Sequence, residues 1–201
     1  MSGPSYAPGN DDPDALRSLA MPDPSTSANA RADQPRIAIV VSRYNASITD
    51  RLLEAAIDEY VGRGGVREEL VVLEAPGAYE LPVICRTAAR SGRFDAVVAL
   101  GCLIRGQTMH DQHIAQAVAR GLIEVSNQTG IPVAFGVLTV ETPHQAAARA
   151  GGAKGNKGAD AMAAAMESAS VIRAFEQDPD RAEYRVHTTV ADKAHAALGQ
   201  P

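Results

Sequence analysis

Ala96-Val97-Val98-Ala99-Leu100-Gly101-Cys102-Leu103-Ile104-Arg105-Gly106-Gln107-Thr108-Met109-His110 is the stretch that decides the fold. Its apolar run shows no period-2 polarity, which reads as a strand buried on both faces. The run opens into a loop with a glycine, a cation, a hydroxyl and an imidazole. A helical pattern then continues from about His110 to Gln128. In an α/β protein, such a junction can hold an anion at the helix N-terminus and set a general base beside it.

The same grammar recurs on either side. Ile37 to Val41 reads as a short buried strand. Ser47-Ile48-Thr49-Asp50 resembles a capping box, and Ile48, Leu52, Ala56 and Tyr60 repeat every four residues until Gly62, Gly64 and Gly65. Leu70 to Leu73 predicts a second strand and Pro76-Gly77 a turn. A helix is expected from about Tyr79 to Ala89, with Pro82 tolerable because it falls in the first turn. Pro132 to Leu138 predicts a fourth strand. A short helix over about Pro143 to Ala150 and a long one over about Lys157 to Phe175 follow. Strands alternating with helices in this way predict a parallel sheet covered on both faces.

Composition bounds the function. The chain has 201 residues, long enough for one domain with a core, and 45% of them are hydrophobic. Aromatic residues are scarce and Trp is absent, so aliphatic side chains and alanine must do the packing. The net charge of −5, with no Lys/Arg block, argues against nucleic acid and anionic membrane as partners. No apolar stretch approaches the roughly 18 residues of a spanning helix. Cys85 and Cys102 read as buried reduced thiols, and a cytoplasmic protein is expected.

Pro4, Pro8, Pro13, Pro22, Pro24 and Pro35 crowd the first 35 residues, among Ser, Gly, Asp and Ala. Residues 1–35 are therefore expected to form a disordered tail, with at most a helical turn near Ala15 to Met21. No apolar core of a secretory signal occurs there. The domain is expected over 36–175. Residues 176–201 read as a polar C-terminal extension with weak helical character at Ala191 to Leu198.

Ligands of an open parallel sheet bind beyond the carboxyl ends of its strands. Those ends are expected at Tyr44-Asn45, at Gly77-Ala78-Tyr79-Glu80, at Cys102 to His110, and near Phe135-Gly136. Tyr44 can stack a planar ring or simply pack. Glu80 can bind a ligand or cap its helix, since a carboxylate is favoured at a helix start in either case. A helix start also favours the uncharged imidazole, the form of His110 that accepts a proton. Gly106-Gln107-Thr108 supplies backbone N–H groups and a hydroxyl suited to phosphate. Arg149 and Lys154-Gly155-Asn156-Lys157-Gly158 supply cations on glycine-rich backbone, or a solvated turn between helices. The latter run lacks the P-loop spacing, because Gly158 stands where Ser or Thr is required. His110, Asp111 and His113 lack the further ligand a metal site needs, so no metal is expected.

Taken together, five motifs make the chain resemble the lumazine synthase family. They are Arg43-Tyr44-Asn45 with Ile48-Thr49; Pro76 to Pro82; Gly101 to His110; Phe135-Gly136-Val137-Leu138-Thr139; and Gln145 through Arg149-Ala150-Gly151 to Gly155-Asn156-Lys157-Gly158. The resemblance covers roughly Arg36 to Phe175. It implies a flavodoxin-like three-layer α/β/α sandwich with a four-stranded parallel sheet. The implied assembly is a homo-oligomer, a pentamer or a multiple of pentamers. The implied activity is the condensation of 5-amino-6-(D-ribitylamino)uracil with 3,4-dihydroxy-2-butanone 4-phosphate. The products are 6,7-dimethyl-8-ribityllumazine, phosphate and water, with no cofactor.

By the same resemblance Tyr44 stacks on the pyrimidine, and Ala78, Tyr79 and Glu80 hold it with its ribityl chain. Cys102, Leu103 and Ile104 line the ring. Gln107 and Thr108 bind phosphate, and His110 transfers protons. Phe135 and Arg149 match positions contributed across a subunit interface, Arg149 to the phosphate, with Lys157 near that pocket. The alanine-rich stretches at Ala146 to Ala150 and Ala159 to Ala165 permit the close helix approach of a ring interface. A non-catalytic flavin- or lumazine-binding protein, or a shell component, is the rival reading.

Overall fold

The computed structural model describes residues 34–177, so most of both expected tails lies outside the described residues. Four strands, β1 (Ile37–Ser42), β2 (Val71–Ala75), β3 (Ala96–Ile104) and β4 (Val133–Val140), form one parallel sheet in the order β2-β1-β3-β4. Helices α1 (Ala46–Gly62), α2 (Leu81–Arg90), α3 (His110–Thr129), α4 (Pro143–Arg149) and α5 (Lys157–Gln177) connect and cover it. This is the three-layer α/β sandwich expected of the sequence.

Alternation along the strands builds two cores. Ile37, Ile39, Val41, Val98, Leu100 and Cys102 face α1 and α5, where they meet Leu52, Tyr60, Met162 and Met166. Ala38, Val40, Val97, Ala99 and Leu103 face α2 and α3, against Leu81, Cys85, Val118 and Leu122. Every residue of β1 is buried, and so is every residue of β3 up to Leu103. Two-sided burial explains the unbroken apolar runs.

Several boundaries differ from the expectations, each for a local reason. The first helix does not start on the Ser47–Asp50 capping box. It starts at Ala46 after Asn45, whose backbone is left-handed (φ 61°) and whose side chain caps nothing. The Asn45 carbonyl instead accepts from the N–H groups of Ile48 and Thr49. Ahead of α2, residues Ala78–Glu80 form a 3-10 turn. Pro82 has no N–H to give the Ala78 carbonyl, so Leu81 donates to it and the turn tightens.

The fourth strand runs past Leu138 to Val140, because the β-branched pair Thr139-Val140 stays in register with Leu103 and Ile104. Between α4 and α5, the glycine-rich run closes as a small antiparallel pair, β5 (Ala150–Gly152) and β6 (Gly155–Asn156). Four alanines of the stretches read as permitting a ring interface are spent inside the chain. Ala146, Ala150, Ala161 and Ala165 are buried in the core shared by α1, α5 and the sheet.

The approach of α5 to α1 depends on Gly158. It is buried, and a Cβ there would overlap the Leu52 carbonyl of α1, a backbone group that cannot rotate away. Alanine would gain about 1 kcal/mol of helix propensity, yet overpacking of this kind costs about 1–3 kcal/mol. Gly158→Ala is therefore expected to lower the urea midpoint despite the better helix former. A raised midpoint would show that α5 can slide to make room.

At the amino ends of the strands, Asp95 gathers the chain. It accepts from the Arg36 backbone N–H at 2.7 Å and from Arg36 Nη2 at 2.8 Å, and from Arg173 Nη2 of α5 at 3.2 Å. Burial alone would push this carboxyl up, but the Arg36 hydrogen bonds and the two guanidinium charges hold it below its ordinary 3.8. The unfolded chain then binds the proton more readily, so this stabilisation is present above pH 3.8 and fades as pH falls through the folded value. Asp95→Asn is expected to cost about 1–2 kcal/mol at pH 7, the pairs being partly solvated. Urea midpoints at pH 7 and pH 3 check this: the gap between the two proteins should close at the lower pH.

Candidate active site

The chain goes one way from β1 to β2 and then crosses back over β1 to β3. The carboxyl ends of β1 and β3 therefore diverge, the position at which such sheets bind ligands. A cavity of about 850 Å³ opens there. The β1 exit contributes Tyr44 and Asn45, and the β2 exit contributes Gly77, Ala78, Tyr79 and Glu80. Cys102, Leu103, Ile104, Gly106 and Thr108 come from the end of β3 and its loop, and His110, Asp111, His113 and Ile114 from the start of α3.

Most residues expected at this rim thus share one space. Tyr44 and Tyr79 are 70% and 64% exposed, so neither ring is spent on the core; packing alone does not account for Tyr44. Glu80 makes no side-chain cap hydrogen bond on α2, so its oxygens are not spent on the helix start. Thr108 accepts through Oγ1 from the His110 backbone N–H at 3.4 Å, tying the loop hydroxyl to the first turn of α3. Cys102 is a wall and not a nucleophile, since burial pushes its thiol up to about 11. Cys85, in the core below, is pushed up to about 12 for the same reason.

Four expected residues do not line this cavity. Gln107 is exposed in the loop beside Thr108. Lys157 reaches away, with Nζ 2.6 Å from Asp160 on its own helix. Arg149, on the last turn of α4, is half-buried and donates from Nη1 to the Gln145 carbonyl at 3.2 Å.

Phe135 corrects the sequence reading most clearly. It does not end its strand: it pairs with Ala99 in the lower half of the sheet, five residues short of Val140. At about 3.3 Å per residue it lies about 16 Å below the rim, beyond the reach of a phenyl ring. Phe135 stays 48% exposed on the edge strand.

Asn45 was not singled out as a site residue, yet it holds the cavity floor. Its Nδ2 donates to the Cys102 carbonyl at 2.8 Å, joining the exits of β1 and β3. Among the described residues it alone combines a side chain with positive φ, a conformation asparagine tolerates better than most. The available signal was its place between a strand and a helix. On the outer rim Arg105 pairs with Glu141 at 3.2 Å, and its N–H extends the β3–β4 ladder to the Val140 carbonyl.

Among the described residues, no group of three or more His, Cys, Asp or Glu could hold a metal ion, and no helix is long and apolar enough to cross a membrane. Residues 34–173 match the family described as 6,7-dimethyl-8-ribityllumazine synthase. The match spans every strand of the sheet, the whole cavity and nearly all of α5. The chain belongs to that family.

Asn45 offers a direct check on the cavity floor. Asn45→Gly keeps the left-handed backbone and loses only the bond to Cys102, whereas Asn45→Ala loses both. Alanine is expected to destabilise by about 1–2 kcal/mol more than glycine, read from thermal or urea midpoints. Equal losses would mean that the backbone conformation carries no strain.

Proposed function

We propose that this member of the lumazine synthase family condenses 5-amino-6-(D-ribitylamino)uracil with 3,4-dihydroxy-2-butanone 4-phosphate. The products are 6,7-dimethyl-8-ribityllumazine, phosphate and water. The observation carrying the reading is the single cavity in which two exposed aromatic rings, the Glu80 carboxylate, the Thr108 hydroxyl and the His110 imidazole converge. Family membership supplies the reaction class.

Each role follows from the chemistry of its group. The amine of the pyrimidine is already a nucleophile, so the protein has mainly to align it with the ketone and to shuttle protons. Tyr44 offers a face for the planar ring. Ala78, Tyr79 and Glu80 bound the ring edge and ribityl chain, with Glu80 accepting from N–H or O–H groups. Cys102, Leu103 and Ile104 close the apolar wall. His110 takes and returns protons during imine formation, loss of phosphate and ring closure. Gln107, Thr108 and the N–H groups opening α3 receive the phosphate.

Arg149 and Phe135 act in this reading from a second copy of the chain, consistent with their absence from the cavity of their own copy. A guanidinium suits the leaving phosphate because it offers paired, permanently charged donors. Lys157 stands near that anion but shares its charge with Asp160. The assembly is a pentamer or a multiple of pentamers. A lumazine-binding protein without turnover would need the aromatic faces but no proton-transfer group, so His110 favours the enzyme.

Mixing the two substrates with the full-length chain should yield lumazine fluorescence, and light scattering should give the mass of an oligomer. His110→Ala is expected to slow product formation by about ten- to a thousandfold while the pyrimidine still binds. Arg149→Ala should raise KM for the phosphorylated substrate far more than for the pyrimidine. Unchanged turnover in the first variant, or equal KM effects in the second, would remove those assignments.

A further inference from the structure

We propose that His113 is a second substrate-binding side chain of this cavity, serving the aminopyrimidine–polyol substrate and not the phosphate. The inference rests on the function proposed above and adds a specificity residue to that site.

The geometry of α3 carries it. His113 lines the same cavity as His110, three residues further along the helix, which is about 4.5 Å of rise away from the loop that holds Thr108. Beyond it on that face, Ala117 and Gly121 line a smaller groove of about 380 Å³, whose other wall includes Tyr79 and Glu80. Tyr79 and Glu80 border both spaces. His113 therefore sits between the proton-transfer position and the stretch of α3 that confronts Glu80. The gap is fixed one turn further on, where a Cβ on Gly121 would lie 2.9 Å from the Pro82 Cβ, so α3 and the start of α2 are packed tightly.

Chemistry then assigns the ligand end. Among the described residues, no hydrogen bond or ion pair engages the ring of His113 or the carboxylate of Glu80. The ring is exposed, so neither group is consumed by the fold. An ionised carboxylate only accepts, whereas an imidazole presents both an N–H donor and a ring-nitrogen acceptor. Glu80 can thus take ligand N–H and O–H groups while His113 gives to carbonyl or hydroxyl oxygens. A pyrimidine carrying a polyol offers both kinds of group. The phosphate end, at Thr108 and the first N–H groups of α3, lies on the other side of His110.

The test measures equilibrium binding of 5-amino-6-(D-ribitylamino)uracil alone to the full chain, for the wild type, His113→Phe and His113→Gln. Loss of one hydrogen bond to the ligand should weaken binding about tenfold in the Phe variant. The Gln variant, which keeps a donor and an acceptor, should stay within about threefold of wild type. The KM for the butanone phosphate and kcat at saturation should barely move in either.

Unchanged pyrimidine affinity in His113→Phe overturns the proposal, as does an equal loss for both substrates. A change of light-scattering mass at unchanged affinity also overturns it, by making His113 an interface side chain. Should the wild type bind the pyrimidine yet form no product, the reaction assigned above fails while the His113 assignment is still decided by the affinities. A wild type that does not bind the pyrimidine removes both.

Discussion

β1 and β3 lie side by side at the centre of the sheet and are buried on both faces, from Ile37 to Ser42 and from Ala96 to Leu103. A side chain on either strand can touch only core, so polar chemistry has to wait until the chain leaves the sandwich. Because the strands are parallel, all of them leave at the same end. That constraint gathers Tyr44, Ala78 to Glu80 and Cys102 to His110, up to 66 residues apart in sequence, around one opening. Asn45 then keeps the opening from splaying, because its bond to the Cys102 carbonyl joins two strand ends where the ladder has stopped. At the other end of the sheet, Asp95 performs the matching task, taking the Arg36 amide and the Arg36 and Arg173 guanidinium groups. The site is thus set by where two-sided burial ends.

This arrangement also explains what the sequence did and did not disclose. Strands buried on both faces read as unbroken apolar runs, and the helices between them carry a clear period, so element order and layering were legible. So was most of the cavity, since strand exits follow from strand positions. The end of β4 was not, because Thr139 is exposed and looks like a turn residue until its pairing with Leu103 is known. Phe135 lies three residues inside even the expected strand end at Leu138, so a rim position does not follow from the strand itself. Asn45 escaped for a different reason: its importance lies in a left-handed backbone and a bond across 57 residues, neither of which leaves a local pattern. Small residues announce close packing without saying against what, and four from the alanine-rich stretches pack within the chain. Here the partner is α1 of the same chain, reached at Gly158.

The charges around the cavity constrain how an anion could be held there. Its lining includes the carboxyl groups of Glu80 and Asp111 and no lysine or arginine. A phosphate entering against two carboxylates would meet hydroxyls, imidazoles, the Asn45 amide and backbone N–H groups but no lysine or arginine, a weak counter to like-charge repulsion at short range. The cation must come from outside the lining. Arg105 already faces Glu141, and Lys157 faces Asp160, so each carries a neutralising partner. Arg149 instead donates to the uncharged Gln145 carbonyl, which orients the guanidinium without cancelling its charge. Among the described residues Arg43 and Lys154 likewise pair with no carboxylate, so Arg149 is one of several cations whose charge stays available to an anion. In the proposed reading a second copy brings Arg149 to the phosphate, so a monomer should hold the pyrimidine better than the phosphate.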